Sequence, residues 1–362
     1  RKHGAALACM RRGERVLTWV GLWLVSSARI ALAAHTDAEL ARCAQLWRAK
    51  IGRYATAKRL RREAFRLQMH ANAKSDEVFD LYEAEHVCET EERMGGTTVP
   101  GSSLGYMPYG DGAKYVCGVD ALRRASARAP PCLVYSVGSR NSYSFEQALR
   151  TRAGCEVHTF DPTLSTAQFE GGQFTAFHPW GLASSTGASQ PAPGGGGGGG
   201  GVRYLSLRAM IEQLGHSGRV LDVLKVDCDG CEFTAMREVF AEMRAGSLQV
   251  GQLQVELHVY RRLPQHHPTE ASLGNRTAHM ATVRAFFDGA DAAGLMLFHK
   301  EWNHVGARKC HACAEFSFVS RAHACAAFVS SHCPAATNAT AAVCGAPARR
   351  AATSLAGRQR GA

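Results

Sequence analysis

Apolar positions along the chain gather in short continuous runs, and amphipathic segments separate these runs. The runs have the length of buried strands, and the segments between them carry helical spacing. Strands that alternate with helices predict an α/β fold, a doubly wound and mainly parallel Rossmann-like sheet with helices on both faces. The predicted strands are 132–137, 155–160, 220–226, 253–259, 295–299 and 315–319, and the predicted helices are 145–150, 205–214 and 281–293.

The sequence on either side of this domain has a different character. We predict a basic, exposed helical stalk at 35–84, with an acidic helix at 76–93. The domain itself is placed at 85–330, and the polar, Ala-rich tail at 331–362 is predicted to be disordered. Inside the domain, the Pro/Gly segment 191–201 contains eight consecutive glycines, which is typical of a flexible insertion.

Residues 1–34 have the pattern of a secretory leader. Basic residues precede an apolar run from Val16 to Val25, and the stretch from Ala31 to Ala33 fits the A-x-A cleavage pattern. The run is shorter than the roughly 20 apolar residues that a membrane-spanning helix needs. We therefore expect a cleaved signal peptide, with an uncleaved type II membrane anchor as the alternative.

Charge and cysteine content agree with a secreted protein. The net charge is +11, but residues 1–75 hold 16 of the 42 Lys and Arg and only 4 of the 31 Asp and Glu. The rest of the chain is close to neutral, which argues against a nucleic-acid partner. Thirteen cysteines become twelve once Cys9 leaves with the leader, an even number suited to disulfides. With sequons at Asn275 and Asn338, we predict a glycoprotein of the secretory pathway, in the ER or Golgi lumen or secreted.

Four of the predicted strands end on residues that carry chemistry. Gly138 and Ser139 follow the first strand, Asp161 and Asp227 follow two others, and His258 lies near the end of a fourth. Ligands of parallel sheets bind beyond these ends. An acidic residue ~20 positions after a glycine turn suits a ribose. The turn has a single glycine, which favours S-adenosylmethionine over a dinucleotide, because a pyrophosphate needs several close backbone approaches.

Several motifs occur in an order that resembles a known enzyme family. They are GDGAKYVCG, VYSVGSRNSYSFEQAL, CEVHTFDPT, HPWGLA, LSLRAMIEQLGHSGRVLDVLKVDCDGCEF, VGQLQVELH and LFHKEWNHVG. Together, over roughly residues 85–320, they resemble the FkbM-like branch of S-adenosylmethionine-dependent methyltransferases, particularly its secreted or membrane-anchored eukaryotic methyltransferase-like members. The family usually carries a D-[IV]-E-G-x-E segment where this chain has Asp227 to Glu232, with cysteines at two positions that are usually apolar or small.

The resemblance implies roles for individual residues at the cofactor. Gly138 and Ser139 would border the methionine part of S-adenosylmethionine, and Asp161 would bind its ribose. Trp180 and Gly181 would flank the adenine, with a packed core tryptophan as the alternative.

On the acceptor side, Asp227 would lie between the cofactor and the methyl acceptor. Glu256 and His258 share one face of their strand, and His258 is the preferred general base, with a hydrogen-bonded structural histidine as the alternative. The stretch from Glu301 to His304 would line the acceptor side.

The cysteines in the acidic turn, Cys228 and Cys231, leave several possibilities open. We expect them to pack as small apolar residues, and a structural disulfide is also possible. A zinc site with the CHAC sequence at 310–313 is disfavoured because about 80 residues separate the two pairs, against 12–20 in zinc ribbons. A thioredoxin-like redox pair is disfavoured as well, and no metal is expected.

The resemblance implies an S-adenosylmethionine-dependent methyltransferase that modifies a hydroxyl of a small molecule or glycan. One alternative is a secreted binding protein that keeps the fold without turnover. Another is a nucleotide-dependent oxidoreductase or epimerase, which the single-glycine turn disfavours.

Overall fold

The computed structural model describes residues 37–64, 79–96, 112–127, 129–164, 174–185, 203–259, 276–303 and 312–344. The helices are α1 (37–64), α2 (Val119–Ser126), α3 (Ser144–Ala153), α4 (Leu207–Gln213), α5 (Glu232–Ala245), α6 (Arg276–Ala292), α7 (Arg321–His332) and α8 (Thr340–Cys344), with a 3-10 helix at Pro334–Ala339. The strands are β1 (Glu91–Met94), β2 (Lys114–Cys117), β3 (Leu133–Val137), β4 (Glu156–Phe160), β5 (Ala176–His178), β6 (Trp180–Leu182), β7 (Arg203–Leu205), β8 (Leu221–Val226), β9 (Val250–Val259), β10 (Leu295–Trp302) and β11 (Ala312–Ser320).

Seven strands form one central sheet in the order β10-β11-β9-β8-β3-β4-β5. The strands from β9 to β5 are parallel, while β11 runs antiparallel to both of its neighbours. The chain lays down β3, β4 and β5 in one direction and then returns to place β8 and β9 on the other side of β3. This arrangement confirms the predicted doubly wound, mainly parallel α/β sheet.

Side chains that alternate along the strands build a core on each face of the sheet. On one face Tyr135 and Leu224 pack in a cluster with Phe240 of α5 and Phe287 of α6. On the other face Val134 and its neighbours pack with the apolar stripes of α2 and α3. Because both faces are covered, strands such as β3 and β8 are buried along most of their length and form largely apolar runs in the sequence.

Helix α1 differs from the exposed stalk that its basic sequence predicted. Its Cys43 and Trp47 are buried, and Cys43 forms a disulfide with Cys333 just after α7. The Trp47 ring lies 5.6 Å from that of Phe328. An apolar stripe along this basic helix therefore packs on the domain, and one of its basic side chains, that of Lys50, is buried there as well.

The start of the predicted tail is also ordered. Residues 334–344 form the 3-10 helix and α8, which a disulfide between Cys325 and Cys344 ties to α7. Val343 is buried there. The polar composition concealed this order because the segment is held by covalent bonds and a few small apolar contacts. Residues 345–362 lie outside the described residues.

The segment predicted as an acidic helix at 76–93 is not helical in its described part. Residues 79–90 form turns and irregular chain, and β1 pairs antiparallel with β2. Phe79 and Tyr82 are buried in the core, and a disulfide joins Cys88 to Cys117. Core contacts and the disulfide outweigh the helical propensity of the acidic residues.

Two predicted features concern residues that the structure does not describe. The leader at 1–34 and the glycine-rich segment 191–201 fall outside the described residues. Among the residues that the structure describes, no helix has both the length and the apolar character needed to cross a bilayer.

Candidate functional site

Several of the singled-out residues lie at one edge of the sheet. Gly138, Asp161 and Asp227 directly follow β3, β4 and β8, and Glu256 and His258 lie near the end of β9. Strands β3 and β8 are neighbours, and the direction in which the chain adds strands reverses between them. This reversal is a topological switch point, where open α/β sheets bind their ligands.

Gly138 allows the loop after β3 to press against the loop after β8. Its backbone φ is 79°, and a Cβ at this position would lie 1.7 Å from the carbonyl oxygen of Asp227. Lys225 also ties the two loops, because its Nζ donates to the carbonyl oxygen of Gly138. The glycine is required for this close packing of loops. The sequence singled out this turn because its backbone can approach a ligand, and that role stays a prediction.

Asp161 holds the loop that follows β3. Its Oδ2 accepts hydrogen bonds from the backbone N–H groups of Ser139 at 3.0 Å and Arg140 at 2.9 Å. Its Oδ1 accepts from the backbone of Thr163 at 2.9 Å, and the Ser139 and Thr163 hydroxyls donate to the same carboxylate. Burial opposes ionisation, but these hydrogen bonds lower the pKa of Asp161 below its ordinary value. The contact with a ribose stays a prediction.

A buried lysine, Lys114, lies against the acidic side of this edge. Its Nζ is 3.2 Å from Asp227 Oδ2 and also donates to Glu315. Burial alone would lower the pKa of Lys114, but Glu315, Asp227 and Glu256 together raise it. In return, Lys114 and Lys225 hold the pKa of Asp227 below its ordinary value despite burial. Asp227 is therefore a stable carboxylate and a weak base.

His258 is held by carboxylates on both of its ring nitrogens. Its Nδ1 lies 3.0 Å from Glu232 Oε1, while Nε2 lies 3.3 Å from Asp229 Oδ1 and 3.6 Å from Glu256 Oε1. Burial favours the neutral ring, but Glu232 first and then Glu256 raise the pKa of His258 to about 10. The ring is thus cationic at neutral pH in this state, so its role as a general base stays a prediction.

Glu256 and Glu315 face each other across β9 and β11. Burial and the neighbouring Asp227 and Glu315 raise the pKa of Glu256 to about 9, and burial raises that of Glu315 as well. The pair therefore keeps a proton at neutral pH. With that proton, three buried carboxylate charges face three cations, and the exposed carboxylate of Asp229 lies beside them. The cluster consists of Lys114, Lys225 and His258 with Asp227, Glu232, Glu256 and Glu315.

This cluster is more extensive than the sequence predicted. Lys114, Lys225 and Glu315 were not singled out, although each is a charged residue with an apolar or aromatic neighbour on both sides in the sequence. The carboxylate oxygens of Asp227, Glu256 and Glu315 lie within 4.8 Å of one another, a spacing that could hold a metal ion. However, the ammonium of Lys114 binds two of these carboxylates and supplies the positive charge there.

The two cysteines of the acidic turn form a disulfide with each other, which the sequence left as one of several possibilities. Cys231 is the residue before α5, and the backbone N–H of Cys228 donates to Glu232 Oε1 at 3.1 Å. Cys313 is also disulfide-bonded. Three cysteines that this zinc site would need, Cys228, Cys231 and Cys313, are therefore oxidised. The expected apolar packing is confirmed, because Cys231 is buried in the core and Cys228 packs against it, but the two form a disulfide rather than separate thiols.

Trp180 and Gly181 lie in β6, which pairs with β7 beside the main sheet. The indole of Trp180 packs against the rings of Phe160 and His178 and the guanidinium of Arg203. These contacts agree with the alternative of a packed tryptophan. The adenine contact stays a prediction.

The predicted acceptor side is only partly within the described residues. Asn303 Nδ2 donates to Glu256 Oε1 at 2.6 Å, so this residue does reach the cluster. Trp302 instead packs near Phe79 and Lys300. His304 lies outside the described residues.

The sheet order defines a Rossmann-like α/β protein, and the charged edge lies at its topological switch point. Residues 52–320 match a family model described as a methyltransferase domain. Because the match covers most of the chain, the chain belongs to the methyltransferase domain family. The finer assignment to the FkbM-like branch stays a prediction.

Two curated relatives are similar over a shorter stretch. The chain is 27% identical over 133 residues to the probable methyltransferase-like protein 24 of Homo sapiens, and 26% identical over 133 residues to that of Rattus norvegicus. Each match covers 37% of this chain and 34% of the relative, so it spans only about a third of these relatives.

A solved structure with a likeness to the chain is that of a mutant 16S rRNA (adenine(1408)-N(1))-methyltransferase from Catenulisporales acidiphilia. It is 12% identical, with a TM-score of 0.28, and the match covers 63% of this chain and 98% of that one. At this level of similarity nothing about the substrate follows.

Proposed function

We propose that this methyltransferase binds S-adenosylmethionine at the switch point and methylates a hydroxyl oxygen of a small molecule or glycan. The observation that supports the cofactor is the accessible pair of carboxylates that follows β8. The side chain of Asp229 is 65% exposed and that of Asp227 is 22% exposed. This donor set fits a cofactor that carries a sulfonium and an ammonium group, because carboxylates attract cations.

The residues of the β3 and β4 loops would hold the rest of the cofactor. Gly138 and Ser139 would border its methionine part, and Asp161 would bind the ribose once the Ser139 and Thr163 hydroxyls turn away from its carboxylate. Three backbone N–H groups would then remain on Asp161, which leaves one of its roughly four acceptor positions for a ribose hydroxyl. Trp180 and Gly181 would flank the adenine. When bound, the cofactor supplies an electrophilic methyl group.

His258 is the residue best placed to move the acceptor proton. Glu232 fixes its Nδ1, so that Nε2 is the nitrogen directed towards Glu256 and Asp229. A cationic ligand at Asp227 and Asp229 would disfavour the imidazolium by repulsion and would lower the pKa of His258 towards neutrality. Cofactor binding would thus prepare the ring to accept a proton.

The test of the cofactor is calorimetry of the mature protein with S-adenosylmethionine, its demethylated product and NAD. Binding of the first two alone supports the proposal, and binding of NAD alone would support the oxidoreductase or epimerase. Radiolabelled methyl transfer to a panel of hydroxyl-bearing glycans and small molecules then tests turnover. Binding without transfer to any acceptor would favour the non-catalytic binding protein.

We also propose the secretory pathway as the site of action. The leader pattern of residues 1–34 supports it, and so do the disulfides that join distant parts of the chain, such as Cys43–Cys333. Expression in a eukaryotic host should give a product that starts near Ala34 and loses mass on glycosidase treatment. A cytosolic, fully reduced product with its leader intact would contradict this.

A further inference from the structure

Away from the charged edge, a group of histidines lies on one face of β4 and β5. Glu156 and His158 are two residues apart on β4 and share a face. His178 of β5 stacks beside His158, with ring centroids 5.2 Å apart. His216, in the turn after α4, covers this face from above. Glu156 begins β4, at the end of the sheet opposite the switch point, while His178 ends β5.

Three of these residues bring their ligand atoms together. Glu156 Oε1 lies 3.1 Å from His158 Nε2 and 3.3 Å from His216 Nε2. The three atoms all lie within 4.8 Å of one another. Tetrahedral zinc with bonds of about 2.0–2.1 Å places its ligand atoms about 3.3 Å apart. The observed separations therefore have the size of the edges of a zinc coordination sphere.

We propose that Glu156, His158 and His216 bind a zinc ion. Two imidazoles and a carboxylate form a ligand set that zinc takes up in proteins. The side chain of Glu156 is 21% exposed, so solvent can reach the position of a fourth ligand. The site joins β4 to the turn between α4 and β8, and its role is to stabilise this part of the fold.

The surrounding residues are placed as outer partners of such a site. His216 Nδ1 lies 2.7 Å from the hydroxyl of Tyr135, and His158 Nδ1 lies 3.0 Å from His178 Nε2. Arg219 Nη1 donates to the other carboxylate oxygen of Glu156 at 2.7 Å. Metal-bound histidines regularly use their second nitrogen in this way, which fixes the ring and the tautomer.

Without a metal, the same atoms form hydrogen bonds. The zinc-bound and metal-free clusters differ in the tautomer of the two histidine rings. With zinc, both Nε2 atoms give up their lone pairs to the metal, and the proton of each ring sits on Nδ1. Without zinc, both Nε2 atoms carry protons and donate to Glu156. Nitrogen NMR of the histidine rings therefore separates a zinc site from a hydrogen-bonded cluster.

The experiment uses the full chain, purified without a polyhistidine tag, stripped with a chelator and titrated with Zn²⁺. We expect saturable uptake measured by elemental analysis, a higher unfolding temperature with zinc, and Nδ1-protonated rings at His158 and His216. His216→Ala and Glu156→Gln should each weaken zinc binding at least tenfold. The matched control is His299→Ala, which removes another histidine that contacts a single glutamate, Glu91.

Two results would overturn the zinc site. One is a wild-type chain that takes up no zinc and keeps Nε2-protonated rings. The other is zinc uptake that is equal in the wild type, His216→Ala and Glu156→Gln. Because Glu156→Gln conserves the size of the side chain, it keeps the comparison valid if His216→Ala folds poorly.

Discussion

Glu232 Oε1 lies 3.0 Å from His258 Nδ1 and accepts the backbone N–H of Cys228 at 3.1 Å. One buried carboxylate thus connects the disulfide-closed turn after β8 with the imidazole at the end of β9. A carboxylate in this position orients the ring and stabilises its cationic form, as in the carboxylate–histidine pairs of hydrolases. The protonation state of His258 therefore depends on Glu232 more than on any other residue.

Replacing Glu232 with glutamine should lower the pKa of His258 from about 10 towards its ordinary range, because the largest favourable interaction of the imidazolium is lost. An NMR titration of the His258 ring in both proteins measures this shift. His299, which contacts Glu91 elsewhere, serves as an internal control because the substitution does not touch its surroundings. An unchanged His258 titration would show that another group sets its protonation.

The protein should lose stability at alkaline pH. The pKa of His258 is raised in the folded state. The charged ring therefore stabilises the fold fully below about pH 6.5, and this contribution is lost as the pH rises towards 10. The raised pKa of Glu256 acts in the same direction. Between about pH 4.5 and about pH 9 the folded chain keeps a proton on Glu256 that the unfolded chain has released, so stability falls as the pH rises.

Urea unfolding between pH 7 and pH 9 tests this expectation. The free energy of unfolding should fall by more than about 1.4 kcal/mol, the equivalent of one pKa unit. Glu256→Gln should reduce the slope because it removes one of the two titrating groups. A wild-type stability that is flat or rising over this range would contradict the assigned protonation states.

The sequence predicted the sheet better than the segments around it. Strands such as β3 and β8 are buried on both faces, and their largely apolar runs identify them directly. Helix α1 and residues 334–344 were interpreted from average composition, which does not show a few apolar residues or the disulfides that anchor them. Pairings between distant cysteines cannot be derived from their spacing.

At the candidate site, the strand ends could be predicted but their partners could not. Gly138, Asp161 and Asp227 stand out because each ends an apolar run. Glu315 and Lys114 come to the same edge from strands that are distant in the sequence, and only the β11–β9 pairing and the packing of β2 bring them there. The protonation state of His258 depends on these contacts, so it could not be predicted from the sequence.

Asp161→Ala should weaken S-adenosylmethionine binding by on the order of 1–3 kcal/mol and should also destabilise the fold, because it strands buried backbone N–H groups. Calorimetry and urea unfolding measure the two effects. The control is Asp222→Ala, which removes a carboxylate that accepts the backbone N–H of Leu133 at the opposite end of β3. Equal cofactor affinity in both variants would remove Asp161 from the cofactor site.

The disulfide Cys228–Cys231 should matter more for the site than for stability. Its closed loop is short, with a sequence separation of 3, so it restricts the unfolded chain little. The double replacement by serine should lower turnover or cofactor affinity while the free energy of unfolding falls by less than about 2 kcal/mol. The control is the double serine variant of Cys132–Cys155, which has a separation of 23 and joins the starts of β3 and β4.

That control should show the reverse pattern, with a larger loss of stability and unchanged cofactor affinity. If both double variants alter cofactor binding equally, the turn after β8 has no special part in the site.

Gly138→Ala should be strongly destabilising because two penalties coincide there. Its φ of 79° is unfavourable for alanine, and the added Cβ would lie 1.7 Å from the carbonyl oxygen of Asp227. Gly218 is a matched control, because its φ is 80° but a Cβ there would meet no atom within 4 Å. Gly218→Ala should therefore cost only the conformational penalty, about 1 kcal/mol, whereas Gly138→Ala should cost at least about 2 kcal/mol more. The difference in urea midpoints measures the contact between the β3 and β8 loops. Because these loops form the switch point, Gly138→Ala should also abolish S-adenosylmethionine binding, while Gly218→Ala should leave it unchanged.

Equal losses of stability in the two variants would show that the loops can separate freely, and the close packing at Gly138 would then have no part in shaping the site.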